Sequence, residues 1–255
     1  MTYDFSNKVA LVTGSSRGIG KATALHLARL GADVVVHYLR KRSAAEETAR
    51  EIEALGRRVW LVKADVGEPD DIDRLFEEIA SSCGALDFLV NNAASGYARP
   101  VMEQKVKGWD WTMNINARAA LFTSQKAVPL MQKRGGGVIV NISSIGSART
   151  LPDYAVIGAS KGALEALTRY CAVEFARYNI VVNAVSPGII ATDALNYFSL
   201  GRDVMIQGAV ERTPAGRIVE PQDVANCVAF LCSSDAYMIR GQVIVIDGGY
   251  MVAVT

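Results

Sequence analysis

Two side chains that can take part in proton transfer, Tyr154 and Lys161, stand seven positions apart, with Ile157 between them. On a helix, positions four and seven residues away lie on one face, one and two turns along it. A phenol can donate a proton and a nearby ammonium can stabilise its anion, whereas an isoleucine side chain can do neither. The spacing therefore indicates acid catalysis by Tyr154, two helical turns from a supporting Lys161.

A glycine-rich turn follows the first apolar run and reads Thr13-Gly14-Ser15-Ser16-Arg17-Gly18-Ile19-Gly20. Glycines let a pyrophosphate approach the free N–H groups at a helix start, where the helix dipole also favours an anion. The spacing, Gly-x3-Gly-x-Gly, also occurs at ordinary helix entries. The apolar strand before this turn and the helical pattern after it favour a dinucleotide-binding turn.

Apolar runs alternate with helical patterns along the whole chain, without a linker or an internal repeat. The runs lie at residues 9–12, 34–36, 59–62, 86–90, 138–140, 180–182 and 243–246. Strands so continuously apolar are typical of a parallel sheet that helices cover on both faces. The sequence predicts one α/β domain over residues 1–255, a Rossmann-type doubly wound parallel sheet of about seven strands with helices on both faces.

Three local features of this pattern give further predictions. Ser43-Ala44-Ala45-Glu46 has the form of a capping box, which predicts a helix start. A long helical region is predicted between strand 86–90 and about Met131. Residues 192–217 are irregular and long for a connection, which predicts a substrate lid.

Composition argues against several classes of function. A net charge of +1, with no long basic tract, gives no footprint for nucleic acid. No apolar run approaches the ~20 residues that span a bilayer, and the first residues do not resemble a signal peptide. Four cysteines without a CxxC pair and only two histidines make a metal site unexpected and indicate a reducing compartment. We expect a cytoplasmic protein with no metal, membrane or nucleic-acid partner.

The end of the second predicted strand is basic. It reads His37-Tyr38-Leu39-Arg40-Lys41-Arg42, and no carboxylate occurs between Asp33 and Glu46. An acidic residue here would bind the ribose 2′-hydroxyl of NAD, whereas a basic one accommodates the 2′-phosphate of NADP. A solvated charge run would look similar, but Arg17 inside the glycine turn favours a phosphate site. The sequence predicts NADPH as cofactor.

Beyond the glycine turn, short motifs follow the predicted strands in a fixed order. They are Asp65-Val66, Asn91-Asn92-Ala93, Asn116, Ser143-Ser144, Lys161, residues 183–188 with Thr192, and Asp247-Gly248-Gly249. In this order they resemble the short-chain dehydrogenase/reductase family over nearly the whole chain. The family's usual tyrosine position holds Ile157, and a tyrosine seven residues before the lysine is the pattern of enoyl-acyl-carrier-protein reductases. Residues 91–96, 109–116 and 213–217 resemble the NADPH-dependent type III members of that group.

The resemblance implies a role for each matching residue. Asp65 and Val66 would hold the adenine, Asn92 would lie along the cofactor ribose, and residues 187–192 would line the nicotinamide. The implied cofactor-binding set is Gly14, Ser16, Arg17, Gly18, Ile19, Leu39, Arg40, Asp65, Val66, Asn92, Lys161, Pro187, Gly188, Ile190 and Thr192. The implied catalytic set is Tyr154, Lys161 and Ser144. Lys161 would bind the nicotinamide ribose and lower the tyrosine pKa, while Ser144 is either a substrate ligand or a structural remnant.

The displaced tyrosine suits an enoyl thioester. In ketone reduction the hydride enters the carbonyl carbon, whereas in enoyl reduction charge develops on an oxygen three bonds from the carbon that accepts the hydride. One helical turn of about 5.4 Å is a shift of that order. We expect NADPH-dependent reduction of the trans-2 double bond of an enoyl thioester, on acyl carrier protein or coenzyme A, in fatty-acid elongation. The alternatives are a ketone or alcohol oxidoreductase and a non-catalytic NADPH-binding protein.

Two further predictions concern apolar side chains. Tyr97, Met102 and residues 195–198 are expected to shape an acyl channel. The positions Leu164, Leu167, Cys171 and Phe175 suit a helix packed on both sides, which fits subunit contact in a homodimer or homotetramer.

Overall fold

A parallel sheet forms the centre of the molecule. The computed structural model describes residues 3–191 and 202–253, and within these ranges seven strands form one sheet. In chain order they are β1 Val9–Val12, β2 Asp33–Tyr38, β3 Val59–Lys63, β4 Phe88–Asn91, β5 Gly137–Ile142, β6 Ile180–Pro187 and β7 Val243–Ile246. Their order across the sheet is β3-β2-β1-β4-β5-β6-β7. The chain winds outward from β1 and then in the other direction from β4, which confirms the predicted doubly wound fold.

Helices cover both faces of the sheet. In the described ranges the α-helices are α1 Gly18–Arg29, α2 Arg42–Ala54, α3 Pro69–Ser82, α4 Val106–Met113, α5 Ala119–Gln132, α6 Ala155–Glu174, α7 Arg202–Arg212 and α8 Pro221–Cys232. Successive strand residues point to opposite faces, and β1 supplies Ala10 and Val12 to one apolar cluster but Val9 and Leu11 to the other. This double burial explains why apolar residues fill most positions of the central strands, on both faces.

The predicted helix ends agree with the structure better than one predicted helix start. Gly31 and Gly56 follow α1 and α2 with φ of +106° and +73°, which glycine adopts without strain. The capping box predicted at Ser43 is wrong, because α2 already begins at Arg42. The Glu46 carboxylate accepts a 2.8 Å hydrogen bond from Arg42 Nε, one turn away on the exposed surface.

The long helical region before Met131 is not one regular helix. A π-helical turn, Asn114–Arg118, separates α4 from α5. Such turns widen the helix locally and are frequent at functional sites. The preceding strand also begins later than predicted, at Phe88 rather than at residue 86.

The structure bears to different extents on three other predictions, which concern the lid, the apolar face of α6 and a membrane-spanning helix. Residues 192–201 of the predicted lid lie outside the described residues, whereas α7 and a turn form residues 202–217, so the lid stays a prediction. Leu164 and Cys171 are buried within the chain itself, and the large apolar side chains that α6 exposes are Tyr170 and Val173. None of the helices in the described ranges is long and apolar enough to cross a membrane.

Candidate active site

The glycine turn after β1 brings backbone N–H groups to the start of α1. Gly14 and Gly18 have φ of +67° and +56°. A methyl group on Gly20 would lie 2.4 Å from the Gly14 carbonyl oxygen, so the turn folds directly against the helix. Arg17 precedes the helix, but its side chain does not cap it. This turn contains the predicted residues Gly14, Ser16, Arg17, Gly18 and Ile19. An exposed helix start behind close-packed glycines fits the phosphates of a dinucleotide.

Thr13 and Asn92 join the ends of β1 and β4. Thr13 Oγ1 accepts hydrogen bonds of 2.9 Å from the backbone N–H groups of Asn92 and Ala93. Asn92 Nδ2 donates to the Thr13 carbonyl oxygen at 2.8 Å. The Asn92 amide, predicted to lie along the cofactor ribose, therefore also fixes the glycine turn.

His37 supports the glycine turn from below, a role that the sequence did not predict. Its Nδ1 accepts from the Gly14 N–H at 2.9 Å, and its Nε2 lies 3.0 Å from the Ala64 carbonyl oxygen. Since Nδ1 is an acceptor and a carbonyl oxygen cannot donate, the ring is neutral with its proton on Nε2. Burial lowers the His37 pKa to about 4. A histidine inside an otherwise apolar strand was the available signal.

The basic side chains predicted for the 2′-phosphate follow two neighbouring strands, Arg17 in the turn after β1 and Arg40 after β2. Arg17 and Arg40 are exposed, and Leu39 beside them is half-buried. Asp33 lies at the other end of β2, where its carboxylate accepts from Arg58 Nε at 2.8 Å. The carboxylate of this strand is therefore distant from the position where an NAD-binding acid would stand.

The segment after β3 contains the residues predicted to hold the adenine. Asp65 Oδ1 accepts from the Gly67 N–H at 2.9 Å, and the Asp65 N–H donates to Asp71 Oδ2 at 2.8 Å. Val66 is buried. Because Asp65 is held on both sides, this segment has a fixed shape at the carboxyl edge of the sheet.

The chain leaving β6 passes close to β7. The Gly188 N–H donates to the Ile246 carbonyl oxygen at 2.8 Å, and a methyl group on Gly188 would lie 2.9 Å from Asp247 Cβ. Pro187 pairs with Ile246, and the buried Ile190 forms a bridge with Val219. Thr192 lies outside the described residues. The predicted nicotinamide-lining residues up to 190 thus share this edge of the sheet with the glycine turn.

Tyr154 lies immediately before α6 and not inside it. The helix begins at Ala155, and Tyr154 is the N-cap residue with φ −100° and ψ 6°. Its hydroxyl donates to Ser144 Oγ at 3.2 Å. Ser144 Oγ also accepts from the Gly146 N–H at 3.2 Å. The regular one-turn shift predicted from helix geometry is therefore approximate, but the phenol does reach Ser144.

The pKa of Tyr154 shifts in the direction opposite to the prediction. Burial raises the pKa of the phenol, and the hydrogen bond to Ser144 opposes this rise only in part. The predicted lowering by Lys161 is not seen in the structure, where Lys161 Nζ donates to the Ile142 carbonyl oxygen at 2.7 Å. A phenol with a raised pKa keeps its proton at neutral pH, as a proton donor must.

Lys161 is buried, with 5% of its surface exposed. Burial lowers its pKa to about 8, and the charge of Glu165 opposes that change. At neutral pH the side chain therefore keeps its positive charge close to the end of β5. The structure thus brings Ser144, Tyr154 and Lys161 together around the carboxyl end of that strand.

Asn116 lies in the π-helical turn and ties three segments together. Its Oδ1 accepts from the Ser95 N–H at 2.8 Å, and its Nδ2 donates to the Ser95 carbonyl oxygen and to Ser160 Oγ, both at 2.9 Å. Ser160 Oγ donates to the Ile157 carbonyl oxygen at 2.6 Å. The widened helix therefore fixes the segment after β4 against the start of α6.

A buried polar chain beneath the site was also not predicted. Asn91 Nδ2 donates to Asn141 Oδ1 at 2.9 Å, and Asn141 Nδ2 donates to Thr168 Oγ1 at 2.9 Å. Thr123 Oγ1 donates to Asn91 Oδ1 at 2.7 Å. These bonds connect β4 and β5 with α5 and α6, so they fix the strand ends that present the site.

Tyr154 lines an open cleft of about 490 Å³. Gly146, Leu151 and Val101 line it as well. Tyr97, predicted to shape an acyl channel, stacks on Trp111 with ring centroids 5.0 Å apart, and Met102 is 95% exposed. Met102 therefore does not line an enclosed channel in this structure, and residues 195–198 lie outside the described ranges.

Fold and site together define a dinucleotide-binding oxidoreductase. A family model described as Enoyl-(Acyl carrier protein) reductase matches residues 14–251. The 1-cyclohexenylcarbonyl-CoA reductase of Streptomyces collinus is 42% identical over 243 residues, which are 95% of this chain and 86% of that protein. The 3-oxoacyl-[acyl-carrier-protein] reductase FabG of Staphylococcus epidermidis is 38% identical over 243 residues, or 95% and 98% of the two chains.

Solved structures agree with these relatives. A 7 alpha-hydroxysteroid dehydrogenase complexed with NADH and 7-oxo glycochenodeoxycholic acid superposes with a TM-score of 0.92 and 33% identity, covering 97% of this chain and 96% of that one. The chain belongs to the short-chain dehydrogenase/reductase family.

Proposed function

We propose that this protein reduces the carbon–carbon double bond of a trans-2-enoyl thioester with NADPH, using Tyr154 as proton donor. The observation that carries the proposal is the 3.2 Å hydrogen bond from the Tyr154 hydroxyl to Ser144 Oγ. A phenol thus meets this serine although the residue four positions before Lys161 is Ile157. The proposed proton donor, Tyr154, is the residue immediately before α6, and its side chain reaches the site from there.

The basic edge after β2 supports NADPH over NADH. Arg17 and Arg40 are exposed at the carboxyl edge of the sheet, and Asp33 is held by Arg58 at the opposite end of the strand. A 2′-phosphate would gain charge-assisted contacts there, whereas a 2′-hydroxyl would find no carboxylate between residues 33 and 46. NADPH, when bound, supplies the hydride for the reduction.

The residues of this chain must then stabilise negative charge and deliver a proton. As the β-carbon of the enoyl group gains a hydride, the electrons of the double bond move toward the thioester carbonyl oxygen, where charge develops. The Tyr154 hydroxyl, still protonated at neutral pH, can donate to that oxygen. Ser144 Oγ holds the phenol in place, and Lys161 adds a positive charge nearby. The enol O–H then returns its proton to Tyr154 while the α-carbon takes a proton from solvent, which gives the saturated thioester.

The two named relatives support different substrates. In a 1-cyclohexenylcarbonyl group the ring double bond is conjugated to the thioester carbonyl, so the Streptomyces collinus enzyme is named for an enoyl thioester. The Staphylococcus epidermidis enzyme is named for a 3-oxoacyl group, which is a ketone. Ketone reduction is therefore the second candidate. Ile157 opposes it, because an aliphatic side chain at that position has no proton to give.

The proposal extends to the thioester carrier of the substrate and to the oligomeric state of the enzyme. We infer a cytoplasmic enzyme of fatty-acid synthesis that acts on acyl-carrier-protein or coenzyme A thioesters. A homodimer or homotetramer is supported by the apolar side chains that α6 exposes, Tyr170 at 69% and Val173 at 77%. Sedimentation equilibrium would measure the assembly directly.

One kinetic comparison tests the proposal. NADPH oxidation is followed with crotonyl-CoA and with acetoacetyl-CoA, for the unaltered protein, Tyr154→Phe and Lys161→Ala. We expect a preference for crotonyl-CoA, and a loss of about 10²–10³-fold in kcat for Tyr154→Phe with unchanged NADPH binding. Lys161→Ala should lose turnover and NADPH affinity together.

Tyr237→Phe provides the matched control, because it removes the same hydroxyl from an exposed position between α8 and β7. It should keep the turnover of the unaltered protein. The proposal is wrong if the unaltered protein prefers acetoacetyl-CoA, or if Tyr154→Phe behaves as this control does.

A further inference from the structure

One carboxylate oxygen of Glu165 accepts two short hydrogen bonds from the segment that follows β5. Ser143 Oγ donates to Glu165 Oε1 at 2.6 Å, and Ser147 Oγ lies at the same distance from the same oxygen. The Ser147 hydroxyl also lies 2.8 Å from the Ser144 carbonyl oxygen. The carboxylate is the closer and the charged acceptor, so it is the stronger partner.

These two serines lie at the two ends of residues 143–147, the segment that contacts Tyr154. Within it, Ser144 Oγ accepts from the Tyr154 hydroxyl. Gly146 lies against the phenol ring, since a methyl group there would come within 2.4 Å of Tyr154 Cε1. The Glu165 carboxylate therefore fixes both ends of the surface on which the Tyr154 ring rests.

Glu165 also lies one helical turn after Lys161 on α6, the spacing at which opposite charges attract. Burial lowers the Lys161 pKa, and the negative charge of Glu165 opposes that change. The carboxylate thus acts on two groups of the site at once. It holds the segment under Tyr154 through its oxygen and supports the ammonium of Lys161 through its charge.

Other charged or titratable groups lie on α6 and on the elements that pack against it. Arg169 lies one turn beyond Glu165 and is exposed, and Tyr154 stands at the start of the helix. The elements α4 and Asn114–Arg118 contact α6 and contain Lys107, Asp110 and Arg118. Lys107 and Asp110 are exposed, and Arg118 donates to the Gly67 carbonyl oxygen. Of these groups, Glu165 is the one whose charge opposes the lowering of the Lys161 pKa by burial.

We propose that Glu165 is a positioning residue of the reductase site, which orders residues 143–147 beneath Tyr154 and supplies the counter-charge of Lys161. The inference rests on the proposed use of Tyr154 and Lys161, but it does not depend on which thioester is reduced. Two substitutions of Glu165 separate its roles as hydrogen-bond acceptor and as counter-charge. Glutamine keeps the acceptor oxygen and removes the charge, whereas alanine removes both.

The test compares Glu165→Gln, Glu165→Ala and the control Glu174→Gln, which makes the same change at an exposed position of α6. Competitive labelling with acetic anhydride, read by peptide mass spectrometry, measures the titration midpoint of Lys161 without substrate or cofactor. Turnover is measured against pH with crotonyl-CoA or acetoacetyl-CoA, whichever the unaltered protein reduces. Thermal unfolding is followed for every variant.

For Glu165→Gln we expect the Lys161 midpoint and the alkaline limb of the turnover profile to fall by about one pH unit, with kcat at its optimum nearly kept. Glu165→Ala should lose about 10–100-fold in kcat, because the segment beneath Tyr154 is no longer fixed. Its KM for NADPH should change little. Glu174→Gln should leave all three measurements unchanged.

Two results would overturn the inference. One is a Lys161 midpoint in Glu165→Gln equal to that of the unaltered protein. The other is turnover in Glu165→Ala that matches the control or falls only in step with thermal stability. If the unaltered protein reduces only acetoacetyl-CoA, the proposed function fails, but the labelling midpoint and the acetoacetyl-CoA turnover still test Glu165.

Discussion

Ile157 packs directly against the backbone of Gly96. A methyl group built on Gly96 would lie 2.4 Å from Ile157 Cγ1 and 2.8 Å from Ile157 Cδ1. Asn116 stabilises this contact, because its side chain bonds to the backbone N–H and carbonyl oxygen of Ser95, next to Gly96, and to the hydroxyl of Ser160 on α6. The position one turn before Lys161 is therefore filled by an aliphatic side chain that packs on the segment after β4.

This packing predicts that Gly96→Ala destabilises the protein. The added methyl group must displace Ile157 or the segment after β4, and overpacking of this kind costs about 1–3 kcal/mol. Because Ile157 belongs to the first turn of α6, the start of the helix next to Tyr154 should move as well. Urea unfolding and crotonyl-CoA turnover should both show a loss.

Gly108→Ala is the control for that change. Gly108 lies within α4, and nothing lies within 4 Å of a methyl group placed there. Alanine at a helical position should leave stability equal or raise it by up to about 1 kcal/mol. If both variants unfold at the same urea concentration as the unaltered protein, the contact between Ile157 and Gly96 is looser than the structure indicates.

The second prediction concerns cofactor choice. Arg40→Asp should move the preference from NADPH toward NADH, since it replaces a cation with a carboxylate suited to a ribose 2′-hydroxyl. A charge-assisted contact of this kind contributes roughly 1.5–3 kcal/mol, or about 10–100-fold in NADPH affinity. Fluorescence titration with both cofactors measures the change.

Arg50→Asp, on the exposed surface of α2, gives the matched change of charge away from the glycine turn. It should leave the ratio of the two affinities unchanged. Equal use of NADPH and NADH by the unaltered protein would show that Arg17 and Arg40 do not select the phosphate.

The sequence predicted the fold because each element has a local signal. Apolar strands buried on both faces, and the glycines that end α1 and α2, follow from side-chain chemistry and backbone conformation alone. The glycine turn and the set Ser144, Tyr154 and Lys161 were predicted as well, and the structure brings those three residues together at the end of β5.

What the sequence could not predict depends on contacts between distant segments. Tyr154 falls just outside α6, after Asp153 in a left-handed conformation with φ +60°, and the Asp153 carbonyl oxygen accepts from the distant Arg99 N–H at 2.7 Å. The π-helical turn at Asn116 depends on Ser95 and Ser160, which are remote in sequence. Glu165 lies on a helix whose pattern alone does not show that its carboxylate meets two serine hydroxyls.

His37 gives the third prediction, a pH dependence of stability. Its buried ring is neutral and accepts from the Gly14 N–H through Nδ1, which a protonated ring cannot do. Burial lowers the pKa in the folded protein to about 4, from an ordinary value of 6.5. Between pH 6.5 and pH 4 the His37 ring therefore binds a proton in the unfolded chain but not in the folded one. The free energy of unfolding should therefore fall as the pH decreases from 6.5 to 4, by up to about 3 kcal/mol, with no contribution at pH 7.

Urea unfolding at intervals between pH 7 and pH 4 measures this slope, and His37→Asn should remove it because asparagine does not titrate in that range. The variant loses some stability at pH 7, since the shorter amide cannot bridge Gly14 and Ala64 as the imidazole does, but its profile should be flatter. His26→Asn is the control: this half-buried ring, whose pKa burial also lowers, packs outside the glycine turn and leaves His37 intact. It should retain most of the slope. If the steep dependence instead disappears with His26→Asn and persists with His37→Asn, the ring beneath the glycine turn is not the group that refuses the proton.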